Sequence, residues 1–138
     1  MDKKLFKLLS LALALSSAPV FADGIIIIGH QGMPRLDAVT IQKLFTGRMI
    51  EVEGQLITAV NASTGSQARN QFLDSFLAQD EEKYTAYWTV RRFIGKGAPP
   101  RELQSSADVV NFVQSHPGGI GYIPSSELKP GLNVLSRK

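Results

Sequence analysis

Residues Gly24 to Gly29 form the stretch GIIIIG, in which four consecutive β-branched residues stand between two glycines. β-Branched side chains favour extended backbone, and an unbroken apolar run of this length indicates a strand that is covered on both faces. Strands of this kind are typical of parallel sheets with helices on each side. The stretch therefore predicts an α/β domain whose first strand is buried.

Four helices are predicted from apolar residues at helical spacing and from side chains suited to capping. They begin after Asp37, Ser66, Asp80 and Ser105, and the first, third and fourth end at Gly47, about Ile94 and near His116. The residues expected to face the core are Ile41, Leu44 and Phe45 in the first helix, Ala68, Phe72, Leu73, Phe76 and Leu77 in the second, and Tyr84, Tyr87, Trp88, Val90 and Phe93 in the third.

Further strands are predicted at residues 55–61, 120–124 and 133–135. Residues 95–100 contain two prolines, which lack an N–H donor, so this segment is expected to be an irregular connection. Gly121 is expected to let another element approach its strand closely. Strands that alternate with helices predict a single α/β domain with a mostly parallel sheet flanked by helices.

The N-terminus has the layout of a secretory signal peptide. Three lysines precede the apolar run Leu8 to Leu15, and residues 20–22 (VFA) form a small-residue cleavage pattern. The apolar run is much shorter than the roughly 20 residues that a membrane-spanning helix needs. We therefore expect residues 1–22 to be removed and residues 23–138 to form one exported, periplasmic domain.

The expected mature chain carries little net charge. Removing residues 1–22 takes away three lysines and one aspartate, so 15 basic and 12 acidic residues become 12 and 11, and the net charge falls from +3 to +1. Binding of nucleic acid requires a clustered positive face, whereas the pair Arg91-Arg92 stands alone, so no nucleic-acid partner is expected. Because the chain has no cysteine, its core must hold the fold without disulfides.

Common catalytic and metal-binding patterns are missing from the sequence. It contains no cysteine nucleophile, no Gly-x-Ser-x-Gly elbow and no Gly-x-x-x-x-Gly-Lys-Ser/Thr loop. The two histidines, His30 and His116, are too far apart in sequence for a zinc-binding pair on one helix. Glu81 and Glu82 lie at a predicted helix start, where acidic residues complement the helix dipole. We expect no catalysis, no cofactor and no metal.

One segment, Asn61 to Arg69 (NASTGSQAR), passes from a predicted strand end into a helix N-terminus. The first turn of a helix has unpaired N–H groups and partial positive charge, so a polar, glycine-containing entry is suited to an oxyanion. The candidate ligand-binding residues are Ser63, Thr64, Gly65, Ser66, Gln67 and Arg69. The alternative is that Ser66 only caps the helix and Arg69 only lies on the surface. The loop Lys96 to Arg101 either adds positive charge to this site or is a solvated connection.

Three stretches together resemble the periplasmic phosphate-binding proteins of ABC transporters. They are Leu36 to Gly47 (LDAVTIQKLFTG) with the strand after it, Ser63 to Ser66 (STGS) with the helix behind it, and Tyr87 to Pro100 with residues 117–122 (PGGIGY). The resemblance covers nearly all of the mature chain and is to the short, single-lobe branch of that family. It implies one lobe of a type 2 periplasmic-binding fold and a loop that binds phosphate or a similar oxyanion.

The chain departs from this family in its loop and in its length. Full-size relatives have an arginine where this chain has Ala62, and Gln67 and Ala68 replace small and hydroxyl residues. Those relatives clamp a ligand between two lobes, whereas the mature chain is long enough for one. Three or four charge-assisted hydrogen bonds of about 1.5 to 3 kcal/mol each, set against an association cost of about 4 kcal/mol or more, imply weak binding by a monomer. Tight binding would require a homodimer or a partner surface that closes over the loop.

Two functional hypotheses follow. The first is a non-catalytic, periplasmic solute-binding-like protein that binds phosphate or a similar small oxyanion. The alternative is an interaction or regulatory module that docks onto an envelope or membrane protein, such as a sensor or a transporter subunit. Replacing Ser66 and Arg69 by alanine abolishes function under the first hypothesis and preserves it under the second.

Overall fold

The computed structural model describes residues 24–138, so the predicted signal peptide, residues 1–22, lies outside the described residues. The strands are β1 (Ile25–Gly29), β2 (Glu51–Val52), β3 (Gln55–Leu56), β4 (Thr58–Ala62), β5 (Arg101–Leu103), β6 (Gly119–Pro124) and β7 (Asn133–Arg137). The helices are α1 (Ala38–Phe45), α2 (Gln67–Phe72), α3 (Glu81–Phe93) and α4 (Ser106–Ser115). A π-helical turn, Leu73–Leu77, continues α2, and a 3-10 turn, Ser125–Glu127, follows β6. Among residues 24–138, none of the helices combines the length and the apolar composition that a membrane span requires.

Five strands form one sheet in the order β5-β4-β6-β1-β7, and β2 and β3 form a separate hairpin. Strand β4 runs parallel to β5 and β6, whereas β1 runs antiparallel to both β6 and β7. Four of the five strands therefore share one direction, and the predicted mostly parallel sheet is confirmed. The expectation that β1 itself is a parallel strand was wrong. An apolar run indicates that both faces of a strand are buried, but it does not indicate the direction of the strand relative to its neighbours.

Strand β1 is covered on both faces, as its sequence predicts. Ile25 and Ile27 pack in the larger core cluster with residues of α1, α2 and α3. Ile26 and Ile28 pack on the opposite face with Val109 of α4. The helices thus lie on the two sides of the sheet, and the alternation of side chains along a strand divides the core into two clusters.

The predicted close approach at Gly121 is confirmed. A Cβ atom added to Gly121 would lie 2.6 Å from Cγ1 of Val109 and 3.1 Å from Cγ2 of Val60. Strand β6 therefore needs glycine at this position because α4 packs directly against its backbone.

All four predicted N-caps are confirmed. The side chains of Asp37, Ser66, Asp80 and Ser105 each accept a hydrogen bond from the backbone N–H three residues later. Such caps satisfy one of the N–H groups that a helix start leaves unpaired.

The predicted core face of α3 was wrong at two positions. Tyr84 and Trp88 are buried, but the side chain of Phe93 is 92% exposed and Val90 is exposed as well. At 100° per residue, Val90 lies about 160° and Phe93 about 140° around the helix from Trp88. Both side chains therefore point away from the core that Trp88 enters.

The sequence prediction also missed some strand boundaries. The strand predicted at residues 55–61 is divided into β3, which pairs with β2, and β4, which belongs to the main sheet. Strand β5 was not predicted. It follows the irregular connection at residues 95–100 and lies at the sheet edge beside β4.

Candidate functional site

The candidate loop follows β4, and a buried chain of hydrogen bonds fixes its start. The N–H of Ala62 donates to Oη of Tyr122 at 3.0 Å, and this hydroxyl donates to Oδ1 of Asn61 at 3.1 Å. Nδ2 of Asn61 donates to Oη of Tyr84 at 3.1 Å, which donates to the carbonyl of Phe45 at 2.9 Å. Burial raises the pKa of both tyrosines, so they stay neutral at physiological pH. The end of β4 is therefore held in place by a satisfied polar network.

Arg69 lies in the first turn of α2, and its side chain is only 7% exposed. Nε donates to Oε2 of Glu81 at 2.8 Å and Nη2 donates to Oε1 at 2.6 Å, while the guanidinium lies 5.5 Å from the ring centre of Tyr84. Burial alone would lower the pKa of Arg69, but the hydrogen bond and charge of Glu81 outweigh it, so the pKa is raised. Arg69 is therefore a buried, permanently charged group, and the alternative of a surface residue is wrong.

Glu102 accepts hydrogen bonds from two of the predicted ligand-binding residues. Its Oε1 accepts hydrogen bonds from the N–H of Thr64 at 3.0 Å and from Nη1 of Arg69 at 2.6 Å, and it also accepts from the hydroxyl of Thr64. The parallel pairing of β4 with β5 places Glu102 opposite Asn61. A backbone amide, a hydroxyl and a guanidinium thus surround a carboxylate oxygen that belongs to the protein itself.

The other predicted residues shape the loop. Oγ of Ser63 donates to the carbonyl of Leu103 at 3.1 Å, and Oγ of Ser66 accepts from the N–H of Arg69 at 3.2 Å. Gly65 has a φ of 84°, a left-handed conformation that favours glycine, and Gln67 is exposed. Of the six candidates, the structure brings Thr64 and Arg69 together around one acceptor.

Two carboxylates at this site, Glu81 and Glu102, were missed as site residues by sequence reasoning. Glu81 was interpreted only as a helix-dipole complement, and no local pattern marks Glu102. Both face Arg69 because α3 and β5 pack beside the loop, so their roles depend on contacts between elements distant in sequence.

A cleft of about 440 Å³ opens beside Arg69 and follows α3. Its lining residues are Thr64, Arg69, Glu81, Tyr84, Thr85, Trp88, Thr89, Arg92, Ala98, Pro99, Pro100, Arg101 and Glu102. Of the connection at residues 95–100, Ala98, Pro99 and Pro100 therefore line the cleft, whereas Lys96 does not. Within residues 24–138, no group of histidine, aspartate and glutamate side chains is arranged to hold a metal ion.

Solved structures of phosphate transport proteins share this fold. A Clostridium perfringens protein described as a phosphate ABC transporter substrate-binding protein with bound phosphate is 22% identical, with a TM-score of 0.64 over 83% of this chain and 44% of that chain. An ABC-type phosphate transport receptor from Vibrio cholerae is 13% identical, with a TM-score of 0.64 over 83% and 46% of the two chains. PstS from Borrelia burgdorferi is 19% identical, with a TM-score of 0.62 over 83% and 47%.

These similarities confirm the predicted resemblance at the level of the fold. The chain spans less than half the length of each of these three proteins. No protein-family model and no curated protein matches the sequence.

Proposed function

We propose that the chain is a non-catalytic, solute-binding-like protein of the periplasm that binds phosphate or a similar small oxyanion at Thr64 and Arg69, within the loop Ser63 to Arg69, in exchange for Glu102. The observation that carries the proposal is the bonding of the Glu102 carboxylate to Thr64 and Arg69. Carboxylate and phosphate oxygens accept the same charge-assisted hydrogen bonds. The phosphate bound to the similar protein from Clostridium perfringens supports the same ligand class.

Glu102 is the displaceable member of this cluster. Its side chain is 42% exposed, whereas that of Glu81 is 26% exposed and has two hydrogen bonds to Arg69. Glu102 can therefore move into water while Glu81 keeps its contacts with Arg69, and the move costs Glu102 its own hydrogen bonds to Thr64 and Arg69. The three side chains carry a net charge of −1 with Glu102 in place and zero without it, so Glu102 repels and competes with an incoming anion.

The competing carboxylate sets the expected affinity of the isolated protein. A few hydrogen bonds from one open lobe already give weak binding, and expulsion of Glu102 weakens it further. We expect monomeric wild-type protein to bind phosphate with a millimolar dissociation constant. Tight binding would need a second copy or a partner, such as a membrane transporter, that covers the loop. A low-micromolar constant for a protein shown to be monomeric contradicts this expectation.

Calorimetric titration with phosphate tests the exchange. Glu102→Gln keeps the size of the side chain but removes its charge, so the dissociation constant should fall about tenfold, or about 1.4 kcal/mol. Glu127→Gln removes an exposed carboxylate outside the cleft and should leave the constant unchanged. If Glu102→Gln binds no more tightly than wild type, or shows no binding at about 10 mM phosphate, the proposal fails.

A docking module is the second candidate, and it is favoured by an exposed apolar stripe on α3 and the residue after it. Val90, Phe93 and Ile94 are spaced by three and four residues and are all exposed. Lys96, two residues after Ile94, is exposed and adds positive charge near the end of the stripe. The matching partner is an envelope protein with an apolar groove edged by carboxylates.

Co-sedimentation with cell-envelope membranes tests this second candidate. Wild-type protein should sediment with the membranes, Phe93→Asp should not, and protease treatment of the membranes should abolish the binding. Equal binding to vesicles of the extracted lipids, or equal binding by Phe93→Asp, would exclude a protein groove as the partner.

A further inference from the structure

The cleft beside Arg69 is larger than a bare oxyanion requires. Its volume of about 440 Å³ falls in the range of roughly 300–1,000 Å³ that is usual for organic ligands. Phosphate, with five heavy atoms, occupies on the order of 150 Å³ if each atom takes about 30 Å³, the share of a water molecule in the liquid. More than half of the cleft is therefore left for another chemical group.

One wall of the cleft has few hydrogen-bond donors. Pro99 and Pro100 are half-buried and line the cleft together with Ala98. Proline has no N–H donor, so this wall offers mainly carbon surface. Trp88, which also lines the cleft, is only 5% exposed and adds a small apolar area. Such a wall suits the carbon skeleton of an organic ligand and gives no advantage to an inorganic ion.

The cleft has a second cation, Arg92, on α3. Arg92 lies 11 residues after Glu81 on this helix, which corresponds to about 16 Å along the axis at 1.5 Å per residue. Arg92 is exposed and forms no ion pair with any residue of the described range 24–138. Arg101 also lines the cleft, but its guanidinium lies 5.5 Å from the ring centre of Phe112 on α4. Within residues 24–138, Arg92 is thus the cleft-lining arginine that has neither an ion pair nor an aromatic contact.

We propose that this site takes an organic phosphate that carries a second anionic group. The phosphate replaces Glu102 at Thr64 and Arg69, the carbon skeleton lies along Pro99 and Pro100, and the second anionic group meets Arg92. This assignment rests on the proposed function, because it uses the same exchange of Glu102. It goes further in naming the substrate class and in assigning Arg92 to ligand recognition.

Three probes of increasing size test the assignment by calorimetry on the Glu102→Gln variant: inorganic phosphate, phenyl phosphate and 4-carboxyphenyl phosphate. Phenyl phosphate should bind about tenfold more tightly than inorganic phosphate, because its ring removes the prolines from water. The carboxylate of the third probe should add about a further fivefold through Arg92. Arg92→Gln should remove this last gain alone, and the matched control Arg35→Gln, an exposed arginine outside the cleft, should keep it.

The outcomes separate this inference from the proposed function. Equal affinities for the three probes overturn the organic-ligand assignment while phosphate exchange stands. A carboxylate gain that survives Arg92→Gln overturns the role of Arg92. If none of the probes binds, both the inference and the proposed function are overturned.

Discussion

Arg69 and Glu81 form a two-point ion pair in which Nε and Nη2 of the guanidinium reach Oε2 and Oε1 of the carboxylate at 2.8 and 2.6 Å. The pair joins the first turn of α2 to the first turn of α3, across the π-helical turn between them. Because Arg69 is buried and always charged, its partners decide both the stability of this region and the electrostatics of the cleft.

We predict that Glu81→Ala destabilises the fold more than its position on a helix surface suggests. Loss of one partner of a buried pair costs about 3 to 5 kcal/mol, and the partial exposure of Glu81 and the remaining contact with Glu102 reduce this to about 2 kcal/mol. Glu82→Ala is the matched control, because it removes a neighbouring, exposed carboxylate from the same helical turn and should cost less than about 0.5 kcal/mol. Urea unfolding of both variants measures the difference, and equal losses would contradict the prediction.

We predict a fall in stability at alkaline pH. The folded pKa values of Tyr84 and Tyr122 lie above the ordinary value of 10, so above pH 10 the native state binds more protons than the unfolded state. The stability contributed by the two neutral tyrosines is fully present below pH 10. Above pH 10 the free energy of unfolding falls by up to about 1.4 kcal/mol per pH unit for each tyrosine.

The variant Tyr122→Phe tests the source of this slope. Loss of the hydroxyl unpairs the N–H of Ala62 and should cost about 1 to 2 kcal/mol at pH 7. The slope of its stability between pH 10 and 11.5 should nevertheless be shallower than in wild type. An unchanged slope in denaturant titrations at several pH values would show that Tyr122 is not the group responsible.

We predict that Gly121→Ala costs about 1 to 3 kcal/mol, because its Cβ would press into Val109 and Val60. The variant Val109→Ala removes the atom at 2.6 Å. In the Val109→Ala background, Gly121→Ala should lower the free energy of unfolding by less than it does in wild type. The double-mutant cycle should give a coupling energy of at least about 0.5 kcal/mol between the two substitutions. Additive losses of stability would mean that the crowding acts elsewhere.

We predict different consequences for the two hydroxyl residues of the loop. Ser66→Ala removes the N-cap of α2 and should lower stability by about 1 kcal/mol while it leaves phosphate affinity largely intact. Thr64→Val removes a hydroxyl that faces the site and should weaken phosphate binding by about tenfold in the Glu102→Gln background. Thermal unfolding measures the stability effect and calorimetry measures the affinity effect. If Thr64→Val left the phosphate affinity unchanged and Ser66→Ala weakened it, Thr64 would not belong to the proposed site.

Local sequence patterns predicted much of the fold. Helix starts depend on one side chain and the amide three residues later, so Asp37, Ser66, Asp80 and Ser105 were identified correctly. The orientation of Phe93 was not predicted, because it depends on which side of α3 packs against the core.

The candidate site was predictable only in part. The position of the loop between β4 and α2 follows from the order of residues, and the oxyanion hypothesis and the predicted single exported domain remain predictions. The group that accepts hydrogen bonds from the loop, the Glu102 carboxylate, could not be predicted. The pairing of β4 with β5 brings Glu102 to Thr64 across 38 residues of sequence.

The sequence by itself determined the buried strand GIIIIG, the capped helices and the polar entry into α2, since each depends on residues within a few positions of one another. Only the tertiary structure decided the reversed direction of β1, the burial of Arg69 and its pairing with Glu81 and Glu102. The physical reason is that hydrophobic periodicity and capping act locally along the chain, whereas strand order and charge pairing are set by which distant elements come into contact.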